Sequence, residues 1–179
     1  MTAKRRSLSL AALPALMAAL IPTIAAGAPA GAMAPRLTGS FRTKLTITYA
    51  NNLGKARVGD AASRTWTFTP ACATGACTTV LRRPSIYSKS VYVYTLDVKS
   101  ASQYRGSTKP AFAPCEIHGS TQVIRRGYSE TQTIVLQVTR SSAGAAVAYT
   151  GTEDSLYTPT SAGLASGCTL AEQRARFSS

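Results

Sequence analysis

Phe41, Thr43, Leu45, Ile47 and Tyr49 alternate with Arg42, Lys44, Thr46 and Thr48. A period of two sends successive side chains to opposite faces, so this run reads as a strand with one dry and one wet face. The same rhythm returns along the chain. Trp66 and Phe68 alternate with Thr65, Thr67 and Thr69 ahead of Pro70, and Tyr92, Tyr94, Leu96 and Val98 alternate with Val91, Val93, Thr95 and Asp97. Ile134, Leu136 and Val138 share a face within Thr131 to Arg140, and Val147 and Tyr149 lie in a run from Ala145 to Thr152. Shorter candidates are Thr78 to Arg83, ended by Pro84, then Gln103 to Ser107 around Tyr104, and Gly119 to Arg126. Asn51 to Gly54, Gly59-Asp60 and Ser141 to Gly144 are turn signals, Gly127-Tyr128-Ser129 reads as a link between two strands, and proline marks Lys109 to Pro114 as a loop. Thr169 to Phe177 reads as a last strand or a short helix, and no sustained helical period occurs elsewhere after the leader. The expectation is a single antiparallel all-β domain over 35–179, with about eight or nine strands, closed as a lipocalin-like barrel or stacked as a sandwich.

The amino end follows different rules. Lys4, Arg5 and Arg6 precede an apolar run from Leu8 to Ile24, which gives way to small residues from Ala25 to Ala32. That order is the pattern of an export signal over 1–32, cut between 25 and 34, and Pro14 and Pro22 make the run a poor membrane span. Pro29 and Pro35 directly follow two small-residue triplets and favour a cut between Ala25 and Ala32. The basic cluster also resembles a twin-arginine signal, and no cysteine near the cut offers a lipid anchor. A secreted or extracytoplasmic, envelope-associated monomer is expected, with no transmembrane span after cleavage.

Export makes the four cysteines legible. Cys72, Cys77, Cys115 and Cys168 are an even count in an oxidising compartment, which implies two disulfides with three possible connectivities. Cys72 and Cys77 flank an expected hairpin tip carrying Gly75, so they are expected to pair, leaving Cys115 for Cys168. A zinc or redox site would want Cys-x2-Cys pairs, and none is present.

The run Gly59-Asp60, Arg64-Thr65-Trp66-Thr67-Phe68-Thr69-Pro70-Ala71-Cys72, Gly75-Ala76-Cys77 and Arg82-Arg83 resembles uncharacterised secreted proteins of high-GC Gram-positive bacteria (Actinomycetota), in which a Trp-bearing strand precedes a Cys-x4-Cys hairpin. About 25 residues carry the resemblance well and the rest loosely. It implies export, β-structure and disulfides, and it assigns no catalytic residue.

Composition narrows the chemistry. With 45% hydrophobic and 15% charged residues the chain is neither a disordered tail nor a multi-span membrane protein. Lys and Arg number 20 against 7 Asp and Glu, a net charge of +13 that falls to about +10 once the basic leader is removed. His118 is the sole histidine, and on a strand it would share a face with Glu116, a pair too small to make a metal or acid/base site alone. No Gly-x-Ser-x-Gly elbow occurs, and Glu153-Asp154 would point to opposite faces of a strand. No catalytic residue, metal or cofactor is therefore assigned, and an enzyme is not expected. Tyr49, Trp66, Phe68, Tyr92, Tyr94 and Tyr149 fall on apolar faces and are candidates to face a ligand in the interior, since buried tyrosine hydroxyls need partners. Arg82, Arg83, Arg125 and Arg126 are candidate anion contacts. The expected function is an exported, non-catalytic binding module for a small ligand or envelope component. The alternative is a basic surface protein retained by anionic cell-envelope polymers. Nucleic acid is not an expected partner, because export removes it and no binding motif occurs.

Overall fold

In a computed structural model, the chain is described over residues 34–54, 56–117 and 120–179. The leader over 1–32 and His118 lie outside the described residues. The elements are β1 (Gly39–Asn51), β2 (Ala61–Pro70), β3 (Thr79–Pro84), β4 (Val91–Val98), β5 (Gln103–Ser107), β6 (Ala111–Glu116), β7 (Val123–Ser142), β8 (Ala145–Pro159), α1 (Ser161–Ala165) and β9 (Ala171–Ser178). The sheet order is β5-β4-β3-β2-β1-β9-β8-β7-β6, with every strand pair antiparallel. A further pairing of β5 with β7 closes eight of the strands into a barrel, and β6 is the extra strand. Closure settles the choice between barrel and sandwich.

β7 does two jobs. Its later half, Thr133 to Gln137, pairs with β5, and its earlier half, Val123 to Glu130, pairs with β6. β5 and β6 thus run in succession along the same edge of β7, interrupted at 108–110. β4 pairs with β5 only from Thr95 to Val98, so the start of β4 has no strand partner on the side where β6 lies. The wall is split there.

Two expectations fail around this split. Lys109 to Pro114 is not all loop, because β6 begins at Ala111. Proline misleads here: β6 is an edge strand that can spare an N–H, and Pro114 falls where the register shifts between Ala113 and Cys115. Gly127-Tyr128-Ser129 is likewise no link but the middle of the continuous β7. Glycine serves close packing at that point, since a Cβ on Gly127 would collide with the Cβ of Cys115. β8 also runs past Thr152 to Pro159, and the final segment is strand, the short helix α1 lying in the loop before it, where Thr160 accepts a hydrogen bond from the Gly163 N–H at 3.1 Å.

The hairpin between β7 and β8 turns on Ala143 and Gly144, with φ of 48° and 76°, the positive pair that a tight two-residue turn demands. Cys72 bonds Cys77 and Cys115 bonds Cys168, with Cα separations of 6.2 and 6.3 Å. The first crosslink lies at the barrel end that holds the β2–β3 and β7–β8 turns, the second at the end that holds the β1–β2 and β3–β4 loops. We call these the lower and upper ends.

Candidate functional site

The inward face changes character from bottom to top. In the lower half Trp66, Phe68, Leu81, Leu136, Tyr149 and Phe177 fill the barrel. Trp66 lies 4.7 Å from the Phe177 ring and 6.2 Å from that of Tyr149, and Phe68 meets Tyr149 at 5.3 Å. The same alternation carried upward puts polar groups indoors: Arg83 on β3, Glu130 and Gln132 on β7, Glu153 and Ser155 on β8, and Gln173 on β9 are all buried.

These groups form a network. Arg83 and Glu153 make an ion pair with 4% and 1% of their side chains exposed, and the guanidinium lies over Tyr92 at 4.9 Å and Trp66 at 5.9 Å. The Tyr94 hydroxyl donates toward Gln132 Oε1 and lies 3.1 Å from Glu153 Oε2. Gln132 donates from Nε2 to Glu130 Oε1 at 2.5 Å, and the Tyr92 hydroxyl donates to the same oxygen across 3.5 Å. The Tyr157 hydroxyl is a further partner of Glu130.

Burial, reinforced by Glu130, pushes the Tyr92 hydroxyl up to about 12, against a smaller downward pull from Arg83. Burial, then Glu153, raises Tyr94, and burial, then Glu130, raises Tyr157. All three hydroxyls therefore stay protonated near neutral pH and serve as donors to carboxylates. Burial alone would lower Arg83, but the charge of Glu153 and the neighbouring tyrosines outweigh it, and its pKa is raised. Arg83 Nε has no hydrogen-bond partner among the described residues.

A concavity of about 510 Å3 reaches this network from the upper end. Tyr92, Phe112, Ala113, Tyr128, Glu130 and Tyr157 give it its character, with the β1–β2 and β3–β4 loops as outer walls. Tyr87 ties those loops together by donating to Asp60 at 3.1 Å. On the outside, a second opening between Val91, Tyr92 and Val93 on one lip and Ser107 to Ala111 on the other also ends on Glu130. A larger depression of about 710 Å3 adjoins, floored by the Cys115–Cys168 disulfide. It is lined by loop segments and parts of β6 and β7 and does not reach Glu130, so the smaller cleft is the better candidate.

Of the aromatics singled out in the sequence, only Tyr92 lines the cleft. Tyr94 lies behind it in the network, whereas Trp66, Phe68 and Tyr149 are consumed by core packing. Tyr49 is outside the barrel, 40% exposed and 5.4 Å below the Arg174 guanidinium. A bulge between Ile47 and Tyr49 in the pairing with β9 reverses the alternation that would have turned it inward. Arg82, Arg125 and Arg126 are exposed, Arg126 resting 3.8 Å from the Phe112 ring, but Arg83 is buried against Glu153 and presents no surface to an anion. Glu116 is exposed and lines the upper rim, and among the described residues no cluster of metal-binding side chains occurs.

Glu130, Gln132, Tyr157 and Gln173 were missed in the sequence, although the signal was there. Ile134, Leu136 and Val138 extended backward at the same period give Gln132, Glu130 and Tyr128, and Tyr149 extended forward gives Gly151, Glu153, Ser155 and Tyr157. Comparison with protein-family models, curated proteins and solved structures finds no match for this chain.

Proposed function

We propose that this protein is an exported, non-catalytic binding module that takes a small ligand into the upper cleft of its barrel. The observation that carries this is the convergence of Tyr92, Tyr157 and Gln132 on one buried carboxylate, Glu130, at the inner end of a concavity with an aromatic wall. The two disulfides, and the lack among the described residues of a helix long and apolar enough to cross a membrane, are compatible with an extracytoplasmic setting. The resemblance to secreted actinobacterial proteins points the same way. The test is native mass spectrometry of protein purified from its own culture medium. The expected spectrum shows an adduct that denaturation releases and that Ala111→Trp, which fills the split, removes. A bare polypeptide mass, or an adduct indifferent to Ala111→Trp, would overturn the proposal.

One observation favours a second role on the outer wall. A shallow depression where β1, β8 and β9 meet is bordered by Lys44 and Arg176, with Thr46, Thr150 and Thr152 between them and no acidic residue in its described lining. That surface suits an anionic envelope polymer held by charge. Retention on such a polymer should fall as salt rises past physiological strength, where the screening length is about 8 Å. Retention insensitive to salt, or absent at low salt, would remove this role.

A further inference from the structure

We infer that the ligand of the upper cleft carries a positively charged nitrogen, which docks on Glu130, and an apolar body, which lies between the lips of the split. The inference rests on the binding-module proposal and deepens it.

The first support is charge balance inside the barrel. The buried network holds one cation, Arg83, and two carboxylates, Glu130 and Glu153. Arg83 is spoken for by Glu153. Among the described residues no Lys, Arg or His forms an ion pair with Glu130, whose partners are the neutral Gln132, Tyr92 and Tyr157. Neutral donors hold a carboxylate in place but leave its charge uncompensated, and a buried charge of that kind calls for a counterion.

The second support is the lining. On a chain with a net charge of +13, no Lys or Arg occurs among the described residues of the cleft wall, and the acidic group at its inner end is Glu130. Lys109 stands at the outer lip of the split, exposed and outside ion-pair distance of Glu130. The basic side chains of the outer wall act through water and salt and are screened over about 8 Å, so the nearby carboxylate sets the preference.

The third support is the rim. Val91 and Val93 on β4 and Phe112 on β6 are exposed by 45%, 45% and 58%, and they flank the openings that end on Glu130. The Phe112 and Tyr92 rings already carry the Arg126 and Arg83 guanidiniums, so the rings that suit an ammonium group beside the carboxylate are Tyr128 and Tyr157 of the same lining. A hydrophobic lip, tyrosine hydroxyls and a single deep carboxylate together select an amine with an apolar body over an anion or a neutral polyol.

The experiment compares 2-phenylethylamine with 2-phenylethanol, two probes of one skeleton that differ in charge, by calorimetry and by backbone amide shifts on the full folded chain. The amine is expected to shift amides around Tyr92, Glu130 and Tyr157 and to bind about tenfold or more tightly than the alcohol. Glu130→Gln should bring the amine to the level of the alcohol, Glu130→Asp should keep part of the preference, and Ala111→Trp should abolish both. Should Glu130→Gln not fold, the difference between amine and alcohol on the unaltered chain carries the charge test. Equal binding of amine and alcohol, or a preference that survives Glu130→Gln, would overturn the cation inference while leaving the cleft as a binding site. Failure of both probes to move any cleft amide would overturn the inference too, and combined with a bare native mass it would overturn the binding-module proposal as well.

Discussion

The two halves of β7 belong to one strand and have different fates. Beside β5 its inward positions are Ile134 and Leu136, and the barrel there is closed and filled. Beside β6 its inward positions are Tyr128 and Glu130, with Gln132 at the junction, and the wall opposite is split. Closure and a mainly apolar filling go together because a closed ring excludes water, and the polar groups it does bury are paired, as Thr43 is with the Tyr149 hydroxyl. Where the ring opens, buried polar groups become affordable only as a connected network, and the protein has built one.

This contrast can be attacked directly. Trp66→Ala removes the largest side chain of the lower core and should cost about 3 to 5 kcal/mol in denaturant unfolding. Arg83→Met in the upper half should cost a similar amount, about 3 to 5 kcal/mol, because it strands Glu153 without a cation. The difference should emerge in the repair: adding Glu153→Leu to Arg83→Met is expected to recover most of the loss, since an ion pair contributes less to stability than its separate halves suggest. A double variant as unstable as the single one would show that the network supports the fold in its own right.

The disulfides sharpen the comparison at the two ends. Cys115 and Cys168 close a loop with a sequence separation of 53, against 5 for Cys72 and Cys77. Chain entropy gives about 4 kcal/mol for the first and about 2 kcal/mol for the second, so Cys115→Ser with Cys168→Ser should lower the unfolding midpoint more than the equivalent change at the lower end. Equal losses would place the upper end outside the cooperative unit.

The smallest effect is a pH dependence. A tyrosine held protonated by the fold keeps its stabilisation below its unfolded pKa near 10 and loses it as pH rises through its folded value. Tyr92, raised to about 12, should therefore contribute to a fall in stability between about pH 10 and 12. Tyr92→Phe should flatten that limb by on the order of 2 kcal/mol, leaving the share of Tyr94, Tyr149 and Tyr157, whose hydroxyls are also raised. An unchanged alkaline limb would mean that Tyr92 titrates freely through the split.

What the sequence made legible was mostly whatever a period of two expresses without interruption. β4 and β5 could be bounded to the residue, and the disulfides followed from count, compartment and the hairpin tip. Interruptions hid the site. Gly127 and Pro114, read as punctuation, are where β6 and β7 pack closest and shift register, and treating them as breaks cut β7 in two and erased β6. With β7 divided, Glu130 fell in the neighbourhood of a supposed link and its shared face with Leu136 was lost. The bulge beside Tyr49 acted in the opposite direction, sending outward a residue that strict alternation places inside. Neither the bulge nor the packing at Gly127 is encoded locally; both depend on partner strands far along the chain. Arg83 illustrates the same limit, because only the arrival of Glu153 from β8 makes its burial tolerable.

The split between β4 and β6 is the central claim, and residue-resolved amide hydrogen exchange tests it most directly. The β7 amides from Thr133 to Gln137, bounded by β5, should exchange only through global unfolding, as should the β4 amides from Thr95 to Val98 that face β5. The amides of Val91 to Val93 that face the split should exchange through small local fluctuations, at least about a hundredfold faster, and slow when a ligand occupies the cleft. Protection at Val91 to Val93 equal to that at Thr95 to Val98 in the ligand-free protein would mean that β4 and β6 are bridged, the wall is closed and the side opening onto Glu130 does not exist.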